Sequence, residues 1–409
     1  MTSTRQTSRS RLRVLDIALA LAMVIVAAIV TTRPAQAQTF GVLYTFTGGT
    51  DGAYPYAGLV RDKAGNLYGT TYQGGSAGCG GCGVVFRVDK TDTETVLYTF
   101  TGGNDGANPY AGVIRDSAGN LYGATEGGGA YGGGVVFKLD TSNTETPLYS
   151  FCPTGNCPDG AIPDGNLIRD KAGNLYGTAV YGGAYGFVGG VVYKVDTTDT
   201  ETVLHSFAGY PTDGAYPETA LVQDAAGNLY GTTAFGGSHG GGVIFKVDTS
   251  DNETLLHNFT WGKDGSESYA NLIQDAAGNL YGSTVLGGSG GCSGYGCGVL
   301  FKLSKTGKYT VLYTFTGGAD GADPGGTLVR DTTGNLYGVT GTGADGWGTV
   351  FKLHKTGKLS VLHTFTGGSD GAGPNWVIRD AAGNLYGTAT YGGSGSGLSG
   401  YGTVFKIAP

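Results

Sequence analysis

Several things are scarce in this sequence, and each scarcity closes a class of function. No stretch beyond residue 37 shows a helical apolar period with caps, so an α-helical domain is not expected. Apart from Ile17–Val30 there is no long hydrophobic run, which excludes a bundle of membrane-spanning helices. Basic residues are outnumbered, 25 against 32 acidic, for a net charge of −7. Nucleic-acid binding needs a basic footprint, so no nucleic-acid partner is expected. There are only 12 prolines and no G-X-Y period, which excludes collagen although 80 residues are glycine. Missing too are the G-x-x-x-x-G-K-[ST] phosphate loop, the H-E-x-x-H zinc helix and a strand-to-helix G-x-S-x-G elbow.

What is present is repetition. The word GNLYG recurs seven times unchanged, beginning at Gly65, Gly119, Gly173, Gly227, Gly278, Gly334 and Gly383. The steps between starts are 54, 54, 54, 51, 56 and 49 residues, the spacing of a repeat architecture. Apolar residues make up 40%, with 26 Tyr and 16 Phe, enough for a core.

Each repeat reads as four strands. In the first, Gly58–Arg61 is a short inner strand and Asp62–Gly65 a tight turn with Asp first and Gly last. Asn66–Thr71 is the second strand, and Gly69 within it suggests close approach of a neighbouring backbone. Gly83–Asp89 is the third strand and Thr95–Phe100 the outer one. Along the third, Val84, Phe86 and Val88 point one way and Val85 and Arg87 the other. Both faces carry apolar residues, as in a sheet covered on both sides.

Four-stranded antiparallel units at this period predict an all-β, seven-bladed β-propeller over residues 38–409. The ends predict closure. Val42–Phe46 is an outer strand with no blade before it, and Gly402–Ile407 is a third strand with none after it. The N-terminal strand should therefore complete the last blade. A stacked β-solenoid is the competing architecture, though its coils usually run shorter, about 20–30 residues.

Met1–Ala37 reads as a secretory signal: basic Arg5, Arg9, Arg11 and Arg13, the apolar run, then Ala35-Gln36-Ala37 for cleavage. The expected location is secreted, periplasmic or cell-surface, with no membrane span after signal removal. Removing the signal takes five Arg and one Asp, leaving 20 basic against 31 acidic residues, a net −11. Six cysteines fall into local pairs, Cys79/Cys82, Cys152/Cys157 and Cys292/Cys297, which an exported chain would form as disulfides. All six are expected in the variable loops, as staples of one loop face.

The GNLYG word, the GVVFK strand and the TGGxDGAxP loop together resemble the GloVer tandem-repeat family, the choice-of-anchor repeat proteins of bacteria, over residues 40 to 407. The Asp-x-x-Gly-Asn-Leu-Tyr hairpin is similar to those of NHL-type propellers. The resemblance implies an exported, surface-associated repeat protein and supplies no catalytic residues. Members often end in a sorting anchor, whereas this sequence stops at Phe405–Pro409, directly after a strand.

Candidate sites divide into shared and copy-specific positions. Asp51, Asp105, Asp159, Asp213, Asp264, Asp320 and Asp370 each precede Gly; they read as structural turns, with calcium loops as the alternative. Arg61, Arg115, Arg169, Arg330 and Arg379, replaced by Gln223 and Gln274 in two copies, would either ring the channel or lie between blades. His205, His257 and His363 replace tyrosines of the outer strand. Copy-specific residues carry more information, because scaffold positions repeat and sites need not. Tyr131, Tyr185, His239, Tyr295 and Trp347 are loop aromatics and a histidine suited to stacking on a sugar or gripping a peptide, with loop packing as the alternative role. Glu126 stands alone among apolar and small equivalents, the one candidate acid or base.

The sequence thus predicts a monomeric exported binding or surface-interaction module for a glycan or protein, with no cofactor and no metal. A carbohydrate hydrolase or lyase using Glu126, or a purely structural surface protein, are the alternatives.

Overall fold

The computed structural model describes residues 38–75, 79–288, 291–343, 345–395 and 397–409, so the expected leader lies outside them. Seven four-stranded antiparallel sheets form the blades of a propeller. Blade 1 runs Val60–Arg61, Leu67–Thr71, Val84–Val88 and Glu94–Thr99 from inner to outer strand. Blades 2 to 6 repeat this order. Blade 7 takes Ala372–Arg379, Leu385–Tyr391 and Thr403–Ala408, and its outer strand is Thr39–Thr45 from the start of the chain. The Phe46 amide donates to the Gly402 carbonyl at 3.0 Å, so the ring closes where the sequence predicts. The solenoid alternative is excluded.

Each letter of the repeated word has a task. Gly65 sits at φ 100°, a backbone region that L side chains rarely enter. The Asn66 amide and side chain donate to Asp62 at 2.9 and 2.8 Å, and the Tyr68 hydroxyl donates to the same carboxylate at 3.1 Å. Burial pulls the Asp62 carboxyl upward, but these donors outweigh it and hold it below the usual range. Leu67 is buried. Gly69 departs from expectation in its cause. A Cβ there would meet the Phe86 ring at 2.7 Å, so the glycine makes room for a side chain rather than a backbone. Gly123 does the same for Phe137 at 2.7 Å.

That ring is half of a seam. Phe46, at the end of one outer strand, meets Phe86 of the next blade edge to face, centroids 5.1 Å apart. Equivalent pairs recur at Phe100–Phe137, Phe151–Tyr193, Phe207–Phe245, Phe259–Phe301, Phe315–Phe351 and Phe365–Phe405. These rings are fully buried.

The arginine series also belongs to seams. Arg61 lies over the Tyr386 ring of the preceding blade at 5.4 Å, and Arg115, Arg169, Arg330 and Arg379 repeat the contact on Tyr68, Tyr122, Tyr281 and Tyr337. The Asp–Gly series is structural: Asp51 accepts from the Tyr44 hydroxyl at 3.0 Å, the Thr47 amide at 2.8 Å and the Thr47 hydroxyl at 2.6 Å.

The cysteines pair as the sequence predicts, Cys79 with Cys82, Cys152 with Cys157 and Cys292 with Cys297. All six lie in loops, as expected, and the two members of each pair differ in depth. Cys79 is exposed and Cys152 and Cys292 are half-buried, but Cys82, Cys157 and Cys297 are buried. Backbone hydrogen bonds draw these three inward. The Cys82 carbonyl accepts from the Asn108 amide at 2.8 Å and the Cys297 carbonyl from the Asp323 amide at 3.2 Å, each at the start of the following blade. The Cys157 carbonyl accepts from the Gly160 and Gly183 amides at 3.0 and 2.9 Å. Cys82 then packs with Val85, Phe100 and Val135, and Cys297 with Leu300 and Phe315. These disulfides therefore anchor loops to the core, and Cys82, Cys157 and Cys297 are not part of an accessible binding surface.

Tyr193 is the one seam ring carrying a hydroxyl, and that hydroxyl is buried without a hydrogen-bond partner. An unsatisfied buried hydroxyl costs about 1–3 kcal/mol. Tyr193→Phe copies the other six blades, so it should stabilise the protein by about 1 kcal/mol, measured as a higher midpoint of denaturant unfolding. A lower midpoint would show that the hydroxyl is satisfied.

Candidate functional site

The inner strands are interrupted where they approach the axis. In blade 1, Ala53 bridges Gln73 and Val60 pairs with Tyr68, so residues 54–59 oppose residues 69–72. Six residues face four, and the excess bulges out of the sheet. The bulge begins at a residue in the left-handed region: Tyr54, Asn108, Ile162, Tyr216, Glu267 and Asp323 all have φ between 55° and 59°. In blade 7 the strand is continuous, with a register shift between Pro374 and Trp376 that leaves Asn375 unpaired.

The bulges place one variable residue per blade at the mouth of the central channel: Tyr56, Tyr110, Asp164, Glu218, Tyr269, Gly325 and Asn375. With Asn166, Asn271, Asp323 and Trp376 they line a cavity of about 360 Å³. Hydrogen bonds between blades hold the wall. Asn166 accepts from the Gly112 amide at 2.7 Å, and Asn271 accepts from the Ala220 amide at 2.6 Å and donates to Thr327 at 2.9 Å. The Thr70 and Thr388 hydroxyls donate to the Ala111 and Ala57 carbonyls at 2.9 and 2.8 Å.

One side of the mouth is aromatic. Tyr56 stacks on Tyr110 with centroids 5.1 Å apart, and its hydroxyl meets that of Tyr391 at 3.0 Å. The other side is acidic. Glu126 accepts from the Tyr72 hydroxyl at 2.9 Å, and the Asp164 carboxyl is its acidic neighbour. The cavity lining includes no lysine or arginine. Burial pushes Glu126 up, and burial together with the charges of Glu126 and Glu218 raises Asp164 well above the carboxylate range. Glu218 is pushed up to about 7 by burial, then by Glu126 and Glu267. Asp164 Oδ1 is buried and has no hydrogen-bond partner of its own.

The loop residues expected to bind lie away from this cavity lining. Tyr131, Tyr185 and Tyr295 are 57, 56 and 67% exposed, in loops of three different blades. His239 is exposed in a fourth, with its Nδ1 2.9 Å from the Ser238 hydroxyl. Trp347 is half-buried and packs over Gly367 and Gly397, where an added Cβ would lie 2.7 and 2.9 Å from its ring. No ring contact joins any of these five among the described residues. Of the residues singled out in the sequence, Glu126 alone adjoins the mouth. The missed residues did leave a signal. The position after the loop proline changes from Tyr to Asp, Glu, Gly or Asn inside a DGAxP context that six of the seven copies keep.

The model of a family described as Gloeobacter/Verrucomicrobia repeat matches residues 28–168, 77–295, 154–344 and 289–409. No curated protein matches the chain. Among solved structures, virginiamycin B lyase from Staphylococcus aureus is similar with a TM-score of 0.59 at 10% identity, over 91% of this chain and 99% of that one. The extracellular domain of a hybrid two-component system from B. thetaiotaomicron is similar with a TM-score of 0.55 at 15% identity, over 91% of this chain and 41% of that one. At these identities the likeness is one of fold.

The carboxyl populations fix a pH dependence. The outer-strand residues Glu94, Glu145 and Glu253 are pushed up to about 7, and Glu201 to about 8, by burial and then by the neighbouring Asp, as Glu218 is at the mouth. A carboxyl with a raised folded pKa gives stability that is full below its unfolded value of about 4.3 and lost as pH rises through the folded one. The hairpin aspartates act oppositely; Asp275, held at about 2, gives stability that is lost as pH falls below about 4. Thermal stability should therefore peak between about pH 4 and 6 and decline toward pH 8. Glu201→Gln should flatten that decline in a series of Tm measurements. A Tm that rises steadily from pH 5 to 8 would contradict it.

Proposed function

The chain belongs to the Gloeobacter/Verrucomicrobia repeat family, and we propose that it is an exported binding module taking a carbohydrate at the mouth of its central channel. The supporting observation is the mouth: seven scaffold-equivalent positions carry three tyrosines, two of them stacked, two carboxyls, a glycine and an amide around one cavity. Aromatic faces bind the apolar faces of sugar rings, and the amides and carboxyls accept and donate to hydroxyls. The exposed Tyr131, Tyr185 and Tyr295 lie on loops that connect the same ends of the strands, and they extend contact for a longer glycan.

The acidic wall narrows the class. The cavity lining offers an anionic sugar no lysine or arginine to pair with. Neutral or amino sugars fit; uronic acids do not.

The second reading is a carbohydrate hydrolase or lyase. Its supporting observation is two neighbouring acids, Glu126 and Asp164, whose carboxyls are both pushed upward by burial. Glycoside hydrolysis sets two carboxyls about 5–9.5 Å apart across the bond, and Glu126 and Asp164 are the pair that would have to meet that spacing.

The test is glycan-array and calorimetric binding with the exported chain. Tyr110→Ala and Glu218→Gln should each weaken a neutral glycan at least about tenfold. Tyr131→Ala, Tyr185→Ala and Tyr295→Ala should cost less. Binding lost only in the loop variants would move the site to the rim, and product release abolished by Glu126→Gln would make the protein an enzyme.

A further inference from the structure

Away from the mouth, the seven seams between neighbouring outer strands are variations on one plan. A tyrosine or histidine of one outer strand reaches the Asp of the following Asp–Gly turn, and the first residue of the next outer strand closes over the pair. At three seams the trio is Tyr–Asp–Glu: Tyr44, Asp51 and Glu94; Tyr98, Asp105 and Glu145; Tyr149, Asp159 and Glu201. At two seams histidine stands in the tyrosine's place and an aromatic ring from the start of the next outer strand lies flat on it. Tyr309 stacks on His257 with centroids 4.0 Å apart, and Phe40 on His363 with centroids 3.7 Å apart. At another, Tyr313 and Asp320 are hydrogen-bonded and the first residue of the next outer strand is Leu359.

The seam between blades 3 and 4 alone sets an imidazole against a glutamate. His205 Nε2 lies 3.0 Å from Asp213 Oδ2, and ligand atoms of His205, Asp213 and Glu253 all lie within 4.8 Å of one another. The turn departs from the plan at a second point. At five seams a threonine hydroxyl, from Thr47, Thr101, Thr260, Thr316 or Thr366, donates to Oδ1 of the aspartate. Here Ala208 takes the threonine's place, and Asp213 Oδ1 accepts from the adjacent Gly214 amide instead. Glu253 Oε1 is buried without a hydrogen-bond partner. The same orphan recurs in Glu94, Glu145 and Glu201, but beside a phenol, which at neutral pH offers no free lone pair comparable to that of an imidazole.

We propose that this seam is a metal site, taking a divalent first-row transition ion through His205 Nε2 and the carboxylates of Asp213 and Glu253. Imidazole and carboxylate oxygen together suit such an ion. The two carboxylates balance its charge, and a water can fill a remaining position. The ion would replace the His205–Asp213 hydrogen bond and give the orphaned Glu253 oxygen a partner. It would tie an outer strand of blade 3, its exit turn and an outer strand of blade 4 together.

The sibling seams supply the control. The purified full chain, stripped with a chelator, is titrated with Zn²⁺ by calorimetry and followed by thermal unfolding. It should bind about one equivalent and gain Tm with the metal. His205→Tyr recreates the trio that three other seams already fold around, so it should keep the native circular dichroism and lose both binding and the Tm gain. Ala208→Thr, which restores the hydroxyl on Asp213, should weaken binding. No Zn²⁺ uptake by the parent chain overturns the proposal, and so does unchanged uptake by a folded His205→Tyr. Should His205→Tyr fail to fold, unchanged uptake by Ala208→Thr and by Glu253→Gln overturns it instead.

Discussion

The structure depends on one contact made seven times: a ring from the end of one outer strand against a ring from the third strand of the next blade. Such pairs prefer an edge-to-face arrangement, and they are worth about 0.5–1.5 kcal/mol beyond the area they bury. Their centroids lie between 4.9 Å, at Phe151–Tyr193, and 5.6 Å, at Phe259–Phe301. The third-strand ring crosses its own sheet toward the second strand, which is why residue 69 and its equivalents are glycine. Sequence, sheet and ring are thus coupled. A side chain at the glycine would displace the phenylalanine, and the displaced phenylalanine would open the seam. The last pair, Phe46–Phe86, can form only because the first strand has joined the seventh blade.

Most of this is readable in the sequence because repetition exposes it. A word that returns unchanged must serve the scaffold, and alternation in the third strand identifies its apolar faces. The ends of the chain state the closure, since an outer strand and a third strand are each left without the rest of a blade. The reason for Gly69 was less accessible: a missing side chain shows that something approaches, not whether it is backbone or ring. Cysteine spacing likewise gives the pairing but not the depth, because the bonds that sink Cys82 and Cys297 come from the next blade. The mouth was hidden for another reason. It is made by a mismatch in pairing, six residues against four, and no hydrophobic period records a mismatch. Ile162 illustrates the difficulty. A β-branched residue at φ 59° runs against local preference, so the bulge comes from the sheet's pairing rather than from that residue. Trp347 is the converse, a loop aromatic that looks free in the sequence and packs over two glycines in the fold.

The carboxyls fall into two groups with opposite environments, and the difference lies in donors rather than depth alone. The hairpin aspartates are surrounded by backbone amides, an asparagine and a tyrosine hydroxyl, so the charged form is favoured. At the mouth and along the outer seams, glutamates are buried with few donors and no cation, so the neutral form gains. The scaffold uses charge where it needs a rigid turn. Where acids line a cavity, it leaves them protonatable and unpaired. Structural acids seldom combine both properties, because a buried carboxyl without donors destabilises the fold that holds it. At the mouth that cost is met by one chain in three neighbouring blades at once, through Glu126, Asp164 and Glu218.

Seven copies of one unit also act as comparisons for one another. A feature that recurs at every seam, such as the bond from the outer-strand tyrosine or histidine to the turn aspartate, is explained by folding and calls for no other account. Departures weigh differently according to whether they are independent. Histidine for tyrosine occurs three times, and twice an aromatic ring accompanies it, so those two substitutions answer each other by stacking. At His205 the accompanying residue is the glutamate that three other seams also carry, here Glu253, and the turn has Ala208 where five seams have threonine. Histidine for tyrosine beside a retained glutamate, with the threonine hydroxyl gone from the turn, is a combination that no other seam carries. The same reasoning applies at the mouth, where the residue after the loop proline differs between blades although the Asp-Gly turn before it recurs in all seven.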